Sequence, residues 1–339
     1  MEKDILLLAI ESSCDETACA VVRNGKEILS NIVASQIDVH TLYGGVVPEV
    51  ASRIHVENIS VVISQALEKA GIGVEDVDGI AFTQGPGLIG SLHVGVLAAK
   101  TLAFAYDKPL IPVQHLTGHI YANAFVGELK FPLLALVVSG GHTELVLMKE
   151  DYDFHVIGTT NDDAVGEAYD KVGRVLELPY PGGPKIDRLA REGRPVYRLP
   201  KPRTDNELDF SFSGLKSAVM QYINRLQRNG EQLNVADMCA SFQETALNAL
   251  WDRVELALQN NEVRQLVLAG GVAANSRLRE IVQQRMERYP QIEYIIPPLS
   301  CCTDNAAMIG ASGYVAYKKG IRADYSVSAD ASLEMPGAY

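Results

Sequence analysis

The sequence predicts a duplicated α/β protein, and three observations predict it. Apolar runs near residues 5–10, 79–83, 133–138 and 265–269 have the length of buried strands rather than of helices. The pattern strand, polar turn, strand, strand opens the chain and restarts at Leu133. Each copy is followed later by a strand that runs into a glycine-rich loop and a helix, so the two halves read as an internal repeat.

Taken in order, Asp4–Ile10 is the first strand and Glu11-Ser-Ser-Cys-Asp-Glu-Thr17 a polar turn that gathers three carboxylates and three hydroxyls. Ala18–Val22 resumes a strand, Asn24-Gly25 marks a hairpin, and Glu27–Ala34 forms the third strand. A helix is expected from Pro48 to about Ala70, with proline in its first turn and Gly71 beyond its end. Strand Gly79–Thr83, loop Gln84–Gly90 and a helix to about Phe104 follow. The second copy has strands Leu133–Val138, Glu144–Met148 and Phe154–Gly158, with the polar turn Ser139–Thr143 between the first two. Gln265–Ala269 then leads through Gly270–Arg277 into another helix. Two related α/β halves with a polar turn between their first strands describe the actin, hexokinase and Hsp70 architecture, in which phosphate loops face a central cleft. The expected division is 1–130, 131–300 and a C-terminal segment 301–339 that packs back on the first.

The chain's 339 residues suffice for two sizeable cores, and its hydrophobic content of 47% is that of a globular protein. No apolar run approaches the roughly 18–20 residues of a membrane span, and Glu11 ends the short N-terminal run too early for a signal peptide. A cytoplasmic protein with no membrane partner is expected. Cys14, Cys19, Cys239, Cys301 and Cys302 form no C-x-x-C and are expected free and mostly buried. Adjacent residues such as Cys301 and Cys302 seldom both point at one ion. The net charge of −12 opposes nonspecific binding of nucleic acid, but residues 171–203 carry nine Lys or Arg against three acids. Such a run can touch phosphates or be no more than a solvated face.

The most informative stretch is His115-Leu-Thr-Gly-His119. On a helix, residues four apart share a face, with about 5–6 Å between Cβ atoms, so both imidazoles can reach one point. That is a half-site for a divalent cation. A zinc peptidase of the His-Glu-x-x-His kind needs a glutamate directly after the first histidine, and here Leu116 cannot move a proton. The pair alone is equally consistent with two core histidines. Further on, Ser139-Gly140-Gly141-His142 follows a strand and could cradle an anion on its backbone N–H groups, although tight turns use the same residues. Asp162 and Asp163 stand at an expected helix start as capping acids. On local chemistry, Asp187 reads as a helix-surface acid, Asn275 as an N-cap and Asp304 as an acid at a helix N-terminus.

The segment from Lys100-Thr101 through Tyr106–Ile111 to His115, Gly118, His119 and Ile120 resembles the signature of the tRNA N6-adenosine threonylcarbamoyltransferases of the bacterial TsaD type, once taken for sialoglycoprotein endopeptidases. Glu11–Thr17, Val137–Gly141, Tyr180–Asp187, Asp209–Ser217, Gly270–Arg277 and Pro297–Asn305 resemble further motifs of that family. Ala306, where glycine is expected, and the doubled cysteine are departures. The resemblance implies the duplicated fold just described. It implies that Asp304 joins His115 and His119 around one divalent metal ion per subunit, Fe(2+) favoured and Zn(2+) the alternative. It makes Val137, Val138, Ser139, Gly140 and Gly141 binders of an acyl-adenylate, with His142 beside them, and Asp170, Gly183, Asp187 and Asn275 nucleoside contacts. Asp15 and Glu16 become candidates for proton handling, and Lys216 could face tRNA phosphates.

The implied reaction moves L-threonylcarbamoyl from threonylcarbamoyl-AMP to N6 of adenosine 37 in tRNAs reading ANN codons, forming t6A and releasing AMP. The implied partners are tRNA, a paralogous dimer partner of the same fold (TsaB type), an ATPase (TsaE type) and an adenylate-forming synthase. A small-molecule kinase of the same fold would need an aspartate base but neither histidine, and a metallopeptidase would need a base where Leu116 stands.

Overall fold

The computed structural model describes residues Lys3–Pro336. The outermost ends of the expected first and third segments, residues 1–2 and 337–339, lie outside the described residues. The chain forms two units. One holds the residues up to Leu129, Asp151–Phe154 and the chain from Pro297 onward; the other holds Lys130–Glu150 and His155–Ile296.

The first unit is built on β1 (Leu6–Glu11), β2 (Glu16–Arg23) and β3 (Glu27–Ser35), followed by the short α1 (Ile37–Thr41) and the long α2 (Pro48–Ala70). Asn24 and Gly25 both take positive φ in the β2–β3 turn, as the Asn-Gly pair predicts. Gly71 ends α2 in the left-handed conformation at φ 69°, where a Cβ would be strained. Then come β4 (Gly79–Gly85), α3 (Ile89–Tyr106), β5 (Leu110–Gln114) and α4 (His115–Tyr121). The sheet order is β3-β2-β1-β4-β5, with β1 antiparallel to β2 and parallel to β4.

The alternation of side chains along a strand sorts this sheet's residues into two cores. Leu8, Ile10, Cys19, Val21, Ile80 and Phe82 pack against Val62 and Ala66 of α2 and Val96 and Ala99 of α3. On the other face, Leu7, Ala9, Ala20, Val22, Ala81 and Val113 meet residues 306–309 near the chain's end. Among the described residues, α3 is the one helix long and apolar enough to cross a membrane, with 33% of that window buried. Ser91, His93, Lys100 and Thr101 interrupt its apolar residues, so no unbroken apolar run in it reaches the length of a span. Here its inward face is part of the core, and Lys100 Nζ donates to the carbonyl of Val327 at 2.9 Å.

The second unit repeats the plan with β6 (Leu133–Val138), β7 (Thr143–Met148) and β8 (Phe154–Thr159). Helices α5 (Val165–Val175), α6 (Gly182–Ala190), α7 (Ser213–Arg228) and α8 (Val235–Asn260) follow. The unit closes with β9 (Gln265–Ala269), α9 (Ser276–Met286) and β10 (Glu293–Ile295). Its sheet order, β10-β9-β6-β7-β8, is that of the first sheet strand for strand, and β6 again pairs antiparallel with β7 and parallel with β9. The chain then returns to the first unit as α10 (Ala306–Lys318).

One capping expectation changes. Helix α5 begins at Val165 with no side-chain cap, and Asp162 instead serves α7. Its carboxylate accepts from Ser211 Oγ at 2.6 Å, Ser213 Oγ at 2.7 Å, Phe212 N at 2.7 Å and Ser213 N at 3.2 Å. The serines therefore donate to an acid 49 and 51 residues away rather than cap α7 themselves. These four bonds, two of them from backbone, hold the Asp162 carboxyl below the usual range against the opposing effect of burial.

Candidate functional site

Helix α4 is short and wholly buried, and its start is fixed by the residue before it. Gln114 Oε1 accepts from Thr117 N at 3.0 Å, and Thr117 Oγ1 donates back to the Gln114 carbonyl at 2.7 Å. His115 and His119 then lie on one face, their ring centroids 4.8 Å apart and their planes perpendicular. Between them stands Gly118, where a Cβ would come within 2.9 Å of Ile309 Cδ1 and 3.2 Å of Met308 Cγ. Glycine thus lets α4 lie close on α10, a contact also fastened by Thr117 Oγ1 and Ser312 Oγ at 2.8 Å.

That contact brings Asp304 to the histidines. Asn305, not Asp304, is the N-cap of α10, its Oδ1 accepting from Met308 N at 3.1 Å. The Asp304 carboxylate is left for the imidazoles: its Oδ1 is 3.1 Å from His119 Nε2 and 3.5 Å from His115 Nε2. One ligand atom from each of the three residues lies within 4.8 Å of the others. His119 is 1% exposed, and neither ring nitrogen makes a well-formed hydrogen bond, although Nε2 faces the Asp304 carboxylate. An unsatisfied polar group in such a place costs about 1–3 kcal/mol, and a shared cation would satisfy it. Two imidazoles and one carboxylate are a donor set for a divalent transition metal with positions left open. The residues fit a metal ion.

The turn after β1 surrounds this group, and its hydroxyls are fasteners. Ser12 Oγ donates to the Ser91 carbonyl at 2.8 Å and accepts from Gly95 N at 3.2 Å. Thr17 Oγ1 lies 2.7 Å from His55 Nδ1, while His55 Nε2 is 2.9 Å from the Cys14 carbonyl. Glu11 is buried, and its Oε2 is 3.0 Å from His115 Nδ1. Burial alone would raise the Glu11 pKa, but His115 lowers it by more. For His115 burial acts downward, and the carboxylates of Glu11 and Asp304 lift the imidazole well above its usual range. Burial opposes ionisation of Asp304 as well, and the two histidines hold it strongly ionised. Glu16 goes the other way. Burial, followed by the charges of Asp304 and Asp15, pushes its pKa up to about 10. Cys14 is likewise raised by burial and Asp15, so its thiol is unreactive as a nucleophile. None of the five cysteines is in a disulfide.

In the second unit, the turn after β6 is closed by Ser139 N donating to the His142 carbonyl at 2.9 Å and His142 N donating to Ser139 Oγ at 3.1 Å. A Cβ at Gly140 or Gly141 would meet nothing within 4 Å, so the fold's own packing does not require glycine there. Val137 and Val138 are buried strand residues whose side chains belong to the core. Asp170 on α5 accepts from Gly182 N at 2.7 Å, and burial, only partly offset by such backbone donors, raises its pKa. Asp187 on α6 accepts from Ser276 Oγ at 2.8 Å and Ser276 N at 3.2 Å, which ties it to the start of α9. Next to it, Asn275 is the N-cap of α9, its Oδ1 accepting from Leu278 N at 2.9 Å. Asn275 Nδ2 donates to Gln243 Oε1 at 2.9 Å, and the hydroxyl of Tyr169 donates to the same oxygen at 3.2 Å. Asp187 therefore ties α6 to the start of α9, Asp170 ties α5 to the start of α6, where Gly183 follows Gly182, and Asn275 joins α9 to Gln243 of α8.

Sequence reasoning missed four contributors: Glu11 beside His115, Gln114 as the cap of α4, Gln243 under Asn275, and Asp162 at α7. Glu11 alone carried a signal, as a carboxylate ending a buried strand.

Comparison with known proteins bears directly on this geometry. The family profile described as TsaD, tRNA N6-adenosine threonylcarbamoyltransferase, matches residues 27–311. A protein of Geobacillus kaustophilus named tRNA N6-adenosine threonylcarbamoyltransferase is 56% identical over 336 residues, covering 99% of this chain and 98% of the relative. One of Bacillus cereus (strain ATCC 14579) with the same name is 55% identical over the same shares. Among solved structures, component A of the Acidaminococcus fermentans (R)-2-hydroxyglutaryl-CoA dehydratase superposes with a TM-score of 0.51 at 18% identity, covering 94% of this chain and 100% of its own. Full-length HypF in its phosphate- and nucleotide-bound form gives 0.61 at 14% identity, over 94% of this chain and 47% of its own. The fold is the two-sheet α/β architecture of the actin and hexokinase type.

Proposed function

The chain belongs to the tRNA N6-adenosine threonylcarbamoyltransferase family, and on that premise we propose that it transfers L-threonylcarbamoyl from threonylcarbamoyl-AMP to N6 of adenosine 37 in tRNAs reading ANN codons. The observation that carries the reading is the convergence of buried His115 and His119 on Asp304, in a chain whose relatives are named for this transfer.

In this reading His115, His119 and Asp304 hold one divalent metal ion, with iron(II) favoured over zinc on the family resemblance, since two imidazoles and one carboxylate serve either. When bound, the ion supplies Lewis acidity to a carbonyl oxygen and a template for the acyl group. The chain's own residues do the rest. Leu116 is buried and apolar, so the helix offers no general base of the peptidase kind. The backbone N–H groups of Gly140 and Gly141, which carry no Cβ to block an approaching anion, receive the adenylate's phosphate beside Ser139, whose own N–H is taken by the His142 carbonyl, and next to Val137, Val138 and His142. Asp170, Gly183, Asp187 and Asn275 take the nucleoside, the carboxylates accepting from ribose hydroxyls. Asp15 accepts the proton that N6 loses, while Glu16, which burial keeps protonated near neutral pH, serves as a donor rather than an acceptor. The exocyclic amine is a weak nucleophile, so positioning supplies much of the rate.

The net charge of −12 opposes tRNA binding by the surface as a whole, which directs the polyanion to the basic run at 171–203 and to Lys216. We read the protein as cytoplasmic and dependent on others. An adenylate-forming synthase delivers a reactive substrate, a paralogous partner of the TsaB type pairs with it, and an ATPase of the TsaE type resets it. Exposed Val56 and Val61 on α2 provide apolar surface for such pairing. Phosphoryl transfer from ATP, peptide hydrolysis and tRNA modification measured in parallel on one preparation test the reading. Threonylcarbamoylated tRNA alone supports it, and phosphoryl transfer or hydrolysis without modified tRNA overturns it.

A further inference from the structure

The two histidines of the metal group are not held alike. His119 has no hydrogen bond at either ring nitrogen. His115 is braced on one side only, by Glu11 at the end of β1. Glu11 is 1% exposed and is itself fixed from two other directions. Its Oε1 accepts from Ser13 N at 2.6 Å, and its Oε2 accepts from Thr83 Oγ1 at 2.6 Å. The same Oε2 lies 3.0 Å from His115 Nδ1, and Ser13 Oγ is 3.2 Å from that nitrogen.

We propose that Glu11 is a positioning residue for the metal group, clamped by Ser13 and Thr83 so that it fixes the tautomer and ring angle of His115. The backbone N–H of Ser13 can only donate, so Glu11 Oε1 must accept from it. With the carboxylate so placed, His115 Nδ1 meets an acceptor oxygen and must carry a proton. Any lone pair the ring offers is then on Nε2, the atom that faces Asp304 Oδ1 at 3.5 Å. A histidine ligand whose far nitrogen donates to a carboxylate is both oriented and made a stronger donor. The asymmetry has a consequence. His115 is braced on the nitrogen that faces away from Asp304, whereas His119 has no partner on its Nδ1. This inference rests on the metal reading above, and it adds that a residue which cannot itself touch the ion sets the affinity for it.

Glu11→Gln tests it. An amide has one acceptor oxygen for a place where three donors converge, so its NH2 group must face either Ser13 N or His115 Nδ1. Cobalt(II) and zinc(II) affinities of the metal-free full-length protein are measured by competition with a chromophoric chelator, and the cobalt absorption spectrum is recorded. AMP affinity and the melting temperature of the metal-free protein are measured alongside. The expected result is a loss of about 10–100-fold in metal affinity and an altered cobalt spectrum, with AMP affinity unchanged. Equal metal affinity and an identical spectrum in Glu11→Gln overturn the positioning role. If wild type and His115→Ala bind metal alike, it is the metal reading that fails, and this inference with it. Should Glu11→Gln not fold, Thr83→Val decides, since it removes one clamp and leaves the carboxylate. Weaker metal binding there supports the role and unchanged binding overturns it.

Discussion

The side chain of Gln114 joins the helix that carries His115 and His119 to the C-terminal stretch: its Nε2 donates to the carbonyl of Leu333 at 3.3 Å, across 219 residues. Its Oε1 meanwhile caps α4 at Thr117. The same C-terminal stretch lies on the end of β4, where Asp330 N donates to the Gln84 carbonyl at 2.9 Å. A Cβ on Gly85 would stand 1.8 Å from the Asp330 carbonyl oxygen, so only glycine admits this path. The residues from Asp330 to Leu333 therefore act as a strap over the strand that leads into His115.

Gln114→Ala should remove both bonds. Loss of an N-cap costs about 0.5–2 kcal/mol, and the effect should appear in denaturant unfolding as a lower midpoint with an unchanged slope. Gln114→Glu keeps an acceptor for Thr117 N but loses the bond to Leu333, so it should fall between Ala and wild type. A midpoint for Ala equal to that of wild type would show that the cap contributes nothing.

Glu144 on β7 gives a pH dependence whose sign is fixed. One carboxylate oxygen is buried with no hydrogen-bond partner, and burial pushes its pKa up to about 7. An acid whose pKa is raised on folding favours the native state only while protonated. Its contribution is complete below about pH 4.5, the unfolded value, and is lost as the pH rises toward about 7. Glu144→Gln should therefore leave stability nearly unchanged at pH 4 and raise it by about 1–3 kcal/mol at pH 8. Urea titrations at both pH values check this; a gain at pH 4 that vanishes at pH 8 would reverse the sign and contradict it.

Asn275 and Asp187 should show coupled losses. Each is a proposed nucleoside contact, and each also holds the start of α9. Asn275→Ala and Asp187→Ala are expected to weaken AMP binding by about 1–3 kcal/mol in calorimetry and to lower the melting temperature together. A lower melting temperature with unchanged AMP affinity in both variants would leave them as helix caps alone.

The fold was legible because its strongest elements are local. Short apolar strands, the Asn24-Gly25 turn and the Pro48-to-Gly71 helix each announce themselves within a few residues. The duplication was legible for the same reason, since the repeated pattern needs no knowledge of pairing. The histidine pair was legible from helical spacing, but Asp304 reached it only by resemblance, being 185 positions from His119 with no local sign of its destination. What remained hidden was polar and long-range. Glu11 finds His115 across 104 residues, Asp162 finds Ser213 across 51, and Gln243 finds Asn275 across 32. Hydrogen-bond partners have no periodicity, so a sequence pattern names the donors and acceptors without pairing them. Asp162 shows the cost: at a helix start it reads as a cap for the next helix, yet it caps another.

The most direct test is nucleoside mass spectrometry of tRNA incubated with purified threonylcarbamoyl-AMP, metal-loaded protein and its partner proteins, for wild type beside His119→Ala. His119 faces Asp304 Oδ1 at 3.1 Å and helps to hold it ionised, so its replacement acts on the proposed metal group and leaves the second unit untouched. The account predicts threonylcarbamoyladenosine at position 37 with wild type and its loss with His119→Ala, while AMP affinity in the second unit stays the same. Equal yields of modified tRNA from the two proteins would contradict it.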